Sequence, residues 1–381
     1  MTDHRDIEQA NNWIELSSSA LIHNSTLFRR LIGRDLALMA VVKANAYGHG
    51  MLPVAKTIEE SCADWFGVFT AAEGLALREA GITVPILVLG ATSRKQIDGA
   101  VRAGLRLSIM STRGVKDLLD HPSCARVPVH LKLETGTNRQ GLVGAQLPRA
   151  VSLLAGGGVT IEGAYTHFAD IEDTTDHTFA AGQIDRFGAL LEQMDVTVPI
   201  PHTACTAATI LFSDTHFRMV RVGIGLFGLW PSKETQVSAA ALERNDLDLR
   251  PVMTWKTRIA QIKDVPTGEY VGYGRTFRAT RPTRIAVLPV GYADGYDRKL
   301  SGGAHTLVLG TRAPVVGRIC MNLTMVDVTD VTQARAGNEV VLLGSVGDES
   351  VSAEDLARLA DTINYEIVTR AAPGSPRILV P

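Results

Sequence analysis

Lys43 ends the apolar run LALMAVVK and is followed by small residues and two glycines in ANAYGHG. A lysine placed where a buried strand meets a loop loses part of its hydration, and this lowers the pKa of its amine. A neutral amine is the group that forms a Schiff base with an aldehyde cofactor. The small residues let a bulky ligand approach the backbone beside the phenol of Tyr47. A lysine that only flanks a core strand would give the same local pattern. Other residues must therefore distinguish a reactive lysine from a structural one.

Further polar and turn-forming residues occur where other apolar runs end. They are Arg139, His167, Thr206, Arg221, Gly223 and Ile224. In barrels of parallel strands, functional residues collect at the carboxyl ends of the strands. Each residue alone has a structural explanation, such as a core histidine or a turn glycine. Their shared placement at strand ends favours a single site.

The elements that must position these residues are eight apolar runs between about Leu36 and Val222. They are LALMAVV, WFGVFT, ILVLG, LSIM, VHLKLE, IEGAYTHF, VPIPHTA and MVRVGIG. Amphipathic stretches separate them, and Thr70, Ser93 and Asp176 are candidate helix N-caps. Continuous apolar strands indicate burial on both faces, and eight βα units are enough to close a barrel. The sequence predicts an N-terminal (β/α)8 TIM-type barrel.

The sequence pattern changes after about Arg250, where short runs with high β-propensity are separated by turns containing Gly, Pro and Asp. This pattern predicts a C-terminal all-β domain that includes one helix, from Ala353 to Thr362 after the cap Ser352. The polar segment ETQVSAAALERNDLDLRP is interpreted as a linker. We therefore expect a barrel domain at 1–245 and a β domain at 246–381. A strand is also predicted at 13–16, and its sequence is compatible with the barrel or with the β domain.

Composition limits the class of partner. The 381 residues are 45% apolar and 20% charged, with a formal net charge of -2, so no basic surface for nucleic acid or an anionic membrane is indicated. A small-molecule partner is expected. The polar first dozen residues and the absence of a long apolar run predict a cytoplasmic protein. The four cysteines are far apart, which predicts reduced, mostly core thiols and neither a disulfide framework nor a metal site: Cys62, Cys124, Cys205 and Cys320.

Seven motifs occur in an order and spacing that resembles the alanine racemase family, over about Trp13 to Ile367. They are VVKANAYGHG, THF, VRVGIG, VGYGRTF, VGYADG, GRICMN and TINYE. The resemblance implies a fold-type-III enzyme of D-alanine biosynthesis that interconverts L- and D-alanine with pyridoxal 5'-phosphate. It also implies a head-to-tail homodimer with shared active sites. Lys43 would form the internal aldimine and act as one acid/base, and Tyr273 of the partner subunit would be the other. Moving a proton between two faces of a carbon requires such a pair of groups.

The resemblance also implies roles in cofactor binding. Arg221 would face the pyridine nitrogen, and Arg139 would bind the phenolic oxygen. His167 would hydrogen-bond Tyr273 and be linked to Arg221. Lys132 matches a position that is carbamylated in many family members. The phosphate would be held by two phenols, a hydroxyl and two backbone amides, which belong to Tyr47, Tyr365, Thr206, Gly223 and Ile224.

The substrate carboxylate would be bound by Met321 through its backbone amide, together with Arg139. A narrow access corridor would be formed by Tyr292, Arg298, Arg318 and Tyr365. Three positions depart from the family pattern: Glu134 replaces an aspartate, Cys205 replaces an asparagine before Thr206, and Asn322 replaces an aspartate.

These departures leave a racemase of serine or of a broader range of amino acids as an alternative. A second alternative is a pyridoxal-phosphate-dependent decarboxylase, which Arg221 disfavours because those enzymes place an acid at the pyridine nitrogen. A third is a non-enzymatic cofactor carrier with only the barrel. The long segment after Arg250 disfavours it.

Overall fold

The computed structural model describes residues 4–244 and 246–381. The chain divides into two compact units. The barrel unit contains Ala20–Ala46 and Met51–Arg250, and the β unit contains the chain up to Ser19, Tyr47–Gly50 and Pro251–Pro381. The boundary predicted between residues 245 and 246 involves residue 245, which lies outside the described residues. That boundary stays a prediction.

The strands of the described chain are numbered in chain order. They are β1 Asn12–Ser17, β2 Ala37–Val41, β3 Trp65–Val68, β4 Ile86–Val88, β5 Arg106–Ile109, β6 Val129–Lys132, β7 Ile161–Tyr165, β8 Ile200–His202, β9 Met219–Val222, β10 Met253–Arg258, β11 Gln261–Val265, β12 Tyr270–Val271, β13 Phe277–Arg278, β14 Thr283–Leu288, β15 His305–Val308, β16 Thr311–Pro314, β17 Thr324–Asp327, β18 Glu339–Val346, β19 Glu349–Val351 and β20 Arg377–Val380. The helices are α1 His4–Gln9, α2 Ser18–Ile32, the left-handed turn α3 Lys43–Tyr47, α4 Met51–Ser61, α5 Ala71–Glu79, α6 Arg94–Arg102, α7 Thr112–Leu119, α8 Leu147–Gly156, α9 Thr178–Glu192, α10 Thr206–Leu211, α11 Lys233–Ala241, α12 Ala353–Ala360 and α13 Asn364–Arg370.

The barrel unit is built on an eight-stranded parallel sheet in the order β8-β7-β6-β5-β4-β3-β2-β9. Two backbone bonds bring its first and last strands together. Arg218 N–H donates to Pro201 O at 3.1 Å, and Arg221 N–H donates to Ala204 O at 3.0 Å. Strands such as β3 and β4 are buried along their whole length, as continuous apolar runs require. The eight predicted strands and the TIM-type barrel are confirmed.

Helix starts follow local capping chemistry. Thr70 Oγ1 accepts from Glu73 N–H, and Glu73 binds back to Thr70, so α5 begins with a full capping box. Ser93 directly precedes α6, as predicted. The long helix α9 begins at Thr178 with His177 at the N-cap. The predicted cap Asp176 lies one residue earlier, and its Oδ1 accepts from Thr178 N–H at 3.0 Å.

The β unit contains a larger sheet in the order β16-β15-β18-β10-β1-β20, with β19 paired to β18, and a smaller sheet in the order β11-β14-β17. The strand at 13–16 belongs here, because β1 pairs antiparallel with β10 and parallel with β20. Its Trp13 and Ile14 are buried. A separate all-β domain is confirmed, and the helix after Ser352 is α12. The neighbouring helix α13 was not predicted from the sequence.

Two sequence predictions were wrong. Much of the segment interpreted as a linker is helical: α11 covers Lys233–Ala241, and Ser232 Oγ caps it by accepting from Thr235 N–H at 2.9 Å. Alanine-rich sequence behind a serine cap favours a helix over a linker. The cysteines are all free, but only Cys205 is buried, while Cys62, Cys124 and Cys320 are half-buried. Within the described residues, no helix combines the length and the apolar character needed to cross a bilayer.

Candidate active site

Lys43 opens a strained turn at the carboxyl end of β2. The four residues after it, Ala44 to Tyr47, all have φ between 53° and 54°, in the left-handed region. This conformation costs about 1–2 kcal/mol for each non-glycine residue. Side-chain and backbone bonds hold it: Ala46 N–H donates to Val42 O at 2.8 Å, and Asn45 Oδ1 accepts from Met51 N–H at 2.8 Å. Such strain persists only where the surroundings fix it, which makes the turn a candidate functional element.

Lys43 lies in a setting that favours its neutral form. Burial lowers the pKa of its amine, and the positive charge of Arg139 and Arg221 lowers it further. Glu73 and Glu172 act in the opposite direction. The net effect is a more nucleophilic amine than that of a surface lysine.

Lys132 is a second buried lysine of the barrel, 8% exposed at the end of β6. Burial lowers its pKa to about 8, with further lowering by the charges of Arg221 and Arg139. Its Nζ lies 5.4 Å from the centre of the Tyr165 ring. Among the described residues, no carboxylate forms a salt bridge with it, so this amine has an unusually large neutral fraction near neutral pH.

Arg221 is fixed by its two terminal nitrogens. Nη1 contacts His202 Nδ1 at 2.8 Å and donates to His202 O at 3.0 Å. Nη2 donates to Thr166 O at 2.8 Å and to Thr203 O at 2.9 Å. Its Nε–H has no acceptor among the described residues. The guanidinium is therefore held rigidly with one donor remaining for a ligand.

A chain of hydrogen bonds continues from Arg221 into the barrel and fixes the histidine tautomers. A guanidinium cannot accept, so His202 Nδ1 must be the acceptor and the proton of His202 lies on Nε2. That proton points at His130 Nδ1, 2.9 Å away. The proton of His130 is then on Nε2, which lies 3.4 Å from Glu162 Oε2.

Both imidazoles in this chain are buried and neutral. Burial lowers the pKa of His202 well below its ordinary value, with the charge of Arg221 adding to the effect, and burial also lowers the pKa of His130. The Tyr165 ring stacks on His202 at a centroid distance of 4.9 Å. Sequence reasoning missed His130, His202 and Glu162. The only available signal was polar residues inside otherwise apolar barrel strands, VHLK and IPH.

The turn after β9 offers donors to an anion. Gly223 N–H donates to Thr206 Oγ1 at 3.0 Å, which leaves the hydroxyl proton of Thr206 available to a ligand. The N–H of Ile224 has no acceptor in the part of the chain that the structure describes. A Cβ at Gly225 would lie 2.5 Å from the Phe28 ring and 2.7 Å from Thr206 Cγ2, so the backbone approaches these side chains closely. Thr206, Gly223 and Ile224 are therefore brought together as predicted.

Arg139 lies at the end of a loop that Glu134 shapes. Glu134 Oε1 accepts from Gly136 N–H at 2.6 Å, and its Oε2 accepts from Arg139 N–H at 3.3 Å. Glutamate in place of aspartate thus keeps a carboxylate acceptor for this loop. The Arg139 side chain itself is exposed.

His167 is placed near the cationic residues but does not bind Arg221. Burial lowers its pKa well below the ordinary value, and the charges of Arg221 and Lys132 lower it further, so the ring is neutral. The predicted link between His167 and Arg221 is not formed among the described residues. The guanidinium instead uses its terminal nitrogens on His202 and on the carbonyls of Thr166 and Thr203.

Tyr273 lies on an exposed turn of the β unit. Gly272 and Gly274 flank it with φ of 77° and 71°, values that favour glycine. The phenol is 69% exposed, and a Cβ at Gly274 would lie 3.3 Å from Arg318 Cζ. The exposed phenol on a tight turn is confirmed as a structural feature.

Tyr292 and Arg298, two of the predicted corridor residues, bond to the segment 319–321 of the β unit. Tyr292 N–H donates to Cys320 O at 3.1 Å, and Ala293 N–H donates to Met321 O at 2.9 Å. Arg298 Nη1 donates to Ile319 O at 3.0 Å. The side chains of Met321 and Tyr292 are 56% and 42% exposed.

Two predicted phosphate ligands also lie together in the β unit. The rings of Tyr47 and Tyr365 have centroids 6.0 Å apart. Tyr365 is carried by α13, the helix that the sequence pattern did not reveal. The predicted site residues thus form two sets, one at the strand ends of the barrel unit and one on the turns and α13 of the β unit.

A nearly closed (β/α)8 barrel with a half-buried lysine of lowered pKa at a strand end, together with an all-β domain, defines a two-domain barrel enzyme. Comparison with known proteins identifies the family. The family model "Alanine racemase, N-terminal domain" matches residues 16–231, and "Alanine racemase, C-terminal domain" matches residues 252–379.

Individual relatives agree with these matches. An alanine racemase from Halothermothrix orenii is 40% identical, covering 96% of this chain and 96% of the relative. One from Leptospira interrogans is 38% identical, covering 97% and 96%. The crystal structure of an alanine racemase from Bacillus anthracis with bound L-Ala-P is 33% identical with a TM-score of 0.88, covering 97% of this chain and 95% of that one. This chain belongs to the alanine racemase family, whose members are isomerases.

Proposed function

We propose that this protein interconverts L- and D-alanine, using pyridoxal 5'-phosphate and two acid/base groups on opposite faces of the substrate. Lys43 is one group, and Tyr273 of the partner subunit in a homodimer is the other. The observation that carries the proposal is the setting of Lys43, a largely buried amine with a lowered pKa on a strained turn at a barrel strand end. Membership of the alanine racemase family supports alanine as substrate.

The residues of the barrel unit fit pyridoxal phosphate. Lys43 would bind its aldehyde carbon, and the Nε–H of Arg221 would donate to its pyridine nitrogen. Arg139 would bind its phenolic oxygen. When bound, the cofactor supplies an electron sink that acidifies the substrate proton on the α-carbon.

Neutral donors would hold the phosphate. In the barrel unit these are the hydroxyl of Thr206 and the backbone amides of Gly223 and Ile224; the Ile224 amide has no acceptor among the described residues. Tyr47 and Tyr365 of the β unit remain proposed phosphate donors. Binding after the last strand is typical of phosphate sites in such barrels.

Arg221 favours racemisation over competing reactions. A guanidinium donates a hydrogen bond but does not give up its proton, so it leaves a pyridine nitrogen unprotonated. The carbonyls of Thr166 and Thr203 prevent it from turning away. An acid in this position would withdraw more electron density and favour transamination or decarboxylation. Arg221 therefore argues against the decarboxylase alternative.

Lys43 and Tyr273 would each hold or move one proton at the α-carbon. Lys43 in its neutral form accepts a proton on one face, and the phenol exchanges one on the other. An exposed Tyr273 supports the proposal of a site completed by a second chain. His167 is neutral and is the proposed hydrogen-bond partner of that phenol.

Arg139 and the backbone amide of Met321 are the proposed ligands of the substrate carboxylate. Lys132 is proposed to be carbamylated, because its lowered pKa of about 8 leaves a neutral amine that can react with carbon dioxide. The added carboxylate would orient Arg139. Tyr292, Arg298 and Arg318 are proposed to line a narrow corridor that excludes large side chains.

Subunit mixing tests the two-chain site. Lys43→Ala and Tyr273→Phe proteins are each expected to be almost inactive. After subunit exchange, half of the dimers have one intact site, so about one quarter of the wild-type activity should return. As a control, Lys43→Ala subunits mixed with the Lys43→Ala/Tyr273→Phe double variant should recover nothing. No recovery in the first mixture, despite demonstrated exchange, would contradict the shared site.

Substrate choice is tested on the same preparation. Alanine, serine and larger amino acids are offered separately, and the loss of optical rotation is followed. We expect alanine to react fastest. If serine has the higher kcat/KM, serine replaces alanine as the proposed substrate.

A further inference from the structure

Glu73 uses both oxygens of one carboxylate on the backbone. Its Oε2 accepts from Phe69 N–H at 2.8 Å and from Thr70 N–H at 2.9 Å, at the start of α5. Its Oε1 accepts from Ala44 N–H at 2.8 Å. Ala44 directly follows Lys43 and is the first residue of the left-handed turn. The carboxylate therefore joins the segments that follow two neighbouring barrel strands, β2 and β3.

A second capping box in the same barrel shows that helix capping alone does not require this arrangement. At the start of α6, Gln96 Oε1 accepts from Ser93 N–H at 3.1 Å and from Ser93 Oγ at 2.8 Å. Gln96 makes no hydrogen bond to a neighbouring strand end within the described residues. The contact from Glu73 to Ala44 is therefore additional to its role in capping.

The charge of Glu73 also acts on Lys43. Arg139 and Arg221 lower the pKa of Lys43, whereas Glu73 and Glu172 raise it. Lys132 and His167 also interact with Lys43. Glu73 also binds the peptide next to Lys43, through Ala44 N–H.

We propose that Glu73 is a positioning residue for Lys43: it holds the backbone directly after the lysine and supplies negative charge that opposes Arg139 and Arg221. The inference rests on the proposed function only in taking Lys43 as the reactive lysine. Glu73 touches neither substrate nor cofactor in this role. It acts by fixing where the amine points and how readily the amine loses its proton.

The test measures the ionisation of Lys43 in the full-length protein after removal of cofactor. Competitive acylation over a range of pH, followed by mass spectrometry of the Lys43 peptide, gives the midpoint of the profile. In Glu73→Gln the amide oxygen can still accept from Ala44 N–H but the charge is gone, so the midpoint should move to lower pH. In Glu73→Ala both the bond and the charge are lost. The dissociation constant for added pyridoxal phosphate, measured by absorbance, should then also rise about tenfold.

Two control variants remove capping without removing Glu73. Thr70→Val deletes the hydroxyl that accepts from Glu73 N–H and donates to Glu73 Oε2, but keeps the carboxylate and its bond to Ala44 N–H. Gln96→Ala deletes the side chain that stands in α6 where Glu73 stands in α5. Both should lower thermal stability and leave the Lys43 midpoint in place.

The proposal is overturned if Glu73→Gln and wild-type profiles coincide, or if the controls shift the midpoint equally. If Glu73→Gln shifts the midpoint but the wild-type protein binds no pyridoxal phosphate, the role of Glu73 stands and the proposed function fails.

Discussion

The two sets of predicted site residues differ in how the protein surrounds them. At the strand ends of the barrel, Arg221 is 6% exposed and Lys132 is 8% exposed. On the turns of the β unit, Tyr273 is 69% exposed and Met321 is 56% exposed. Burial and neighbouring cations lower the pKa of Lys43, Lys132 and His167 in the barrel.

This difference shows two ways in which the fold sets the pKa and the orientation of a site residue. Apart from the exposed Arg139, the barrel residues are prepared within their own unit, because desolvation and fixed hydrogen bonds act on them there. The turn residues are held in position by their backbone while their side chains face outward. Under the proposed function, the outward residues are completed by a second chain.

Lys43→Ala should have the largest effect. Losing both the cofactor attachment point and one acid/base should lower kcat by about 10⁴-fold or more. The purified variant should also lack the visible absorbance and the borohydride-reducible linkage expected of the wild type. Lys116→Ala, at an exposed position of α7, is the control and should behave as wild type. A reducible linkage that persists in Lys43→Ala would show that another lysine is the reactive one.

Tyr273→Phe should have a large but one-sided effect. Removal of the α-proton from one enantiomer should slow by about 10²–10³-fold, and removal from the other should slow much less. Exchange of the α-proton in heavy water, measured separately for L- and D-alanine, gives both rates. Tyr270→Phe, which removes a neighbouring half-exposed phenol, should change neither. Equal losses in both directions would count against two bases.

Lys132 should make stability depend on pH. Its pKa is lowered from an ordinary 10.5 to about 8, so the unfolded chain binds more protons between these values. The free energy of unfolding should therefore rise as pH increases from about 8 to 10.5, and below about 8 the full penalty remains. The difference corresponds to about 3 kcal/mol.

Denaturant unfolding at a series of pH values measures this slope. Lys132→Met should reduce it, and added bicarbonate should also reduce it if the amine is carbamylated. A carbamate signal from carbon-13 bicarbonate that is absent in Lys132→Met would assign the modification. If the wild type and Lys132→Met have identical slopes, a buried free amine at Lys132 does not cause the pH dependence of stability.

Glu162→Ala should have the smallest effect on catalysis. The carboxylate lies 3.4 Å from His130 Nε2, which has no hydrogen-bond partner among the described residues, and Arg221 already fixes the tautomers of His202 and His130. Losing the carboxylate should therefore loosen the His130 ring but leave both tautomers unchanged. We expect kcat to fall by no more than about tenfold, and Glu162→Gln, which keeps the packing of the side chain, to retain most of the activity. Nitrogen NMR of the two histidines reports the tautomers directly. A changed tautomer in Glu162→Ala would contradict their control by Arg221.

The sequence was most informative where the signal is local. Continuous apolar runs predicted all eight barrel strands, and Thr70 and Ser352 predicted helix starts through capping chemistry alone. It failed where the signal is weak or distant. The helix α11 was hidden in a polar, alanine-rich segment, and α13 carries Tyr365 without an N-cap hydrogen bond from a side chain.

The residues proposed to carry the chemistry were evident from the chain itself, because Lys43 and Tyr273 each lie in a distinctive local motif of small residues and glycines. The groups that surround them in the fold were not evident from the chain. Arg221 binds Thr166, 55 positions earlier, and His130 meets His202 across 72 positions. Only closure of the barrel brings these groups together. The amino-acid order therefore determined which residues are proposed to react, and the tertiary structure decided the protonation states and orientations of the groups around them, because both depend on burial and on contacts between distant segments.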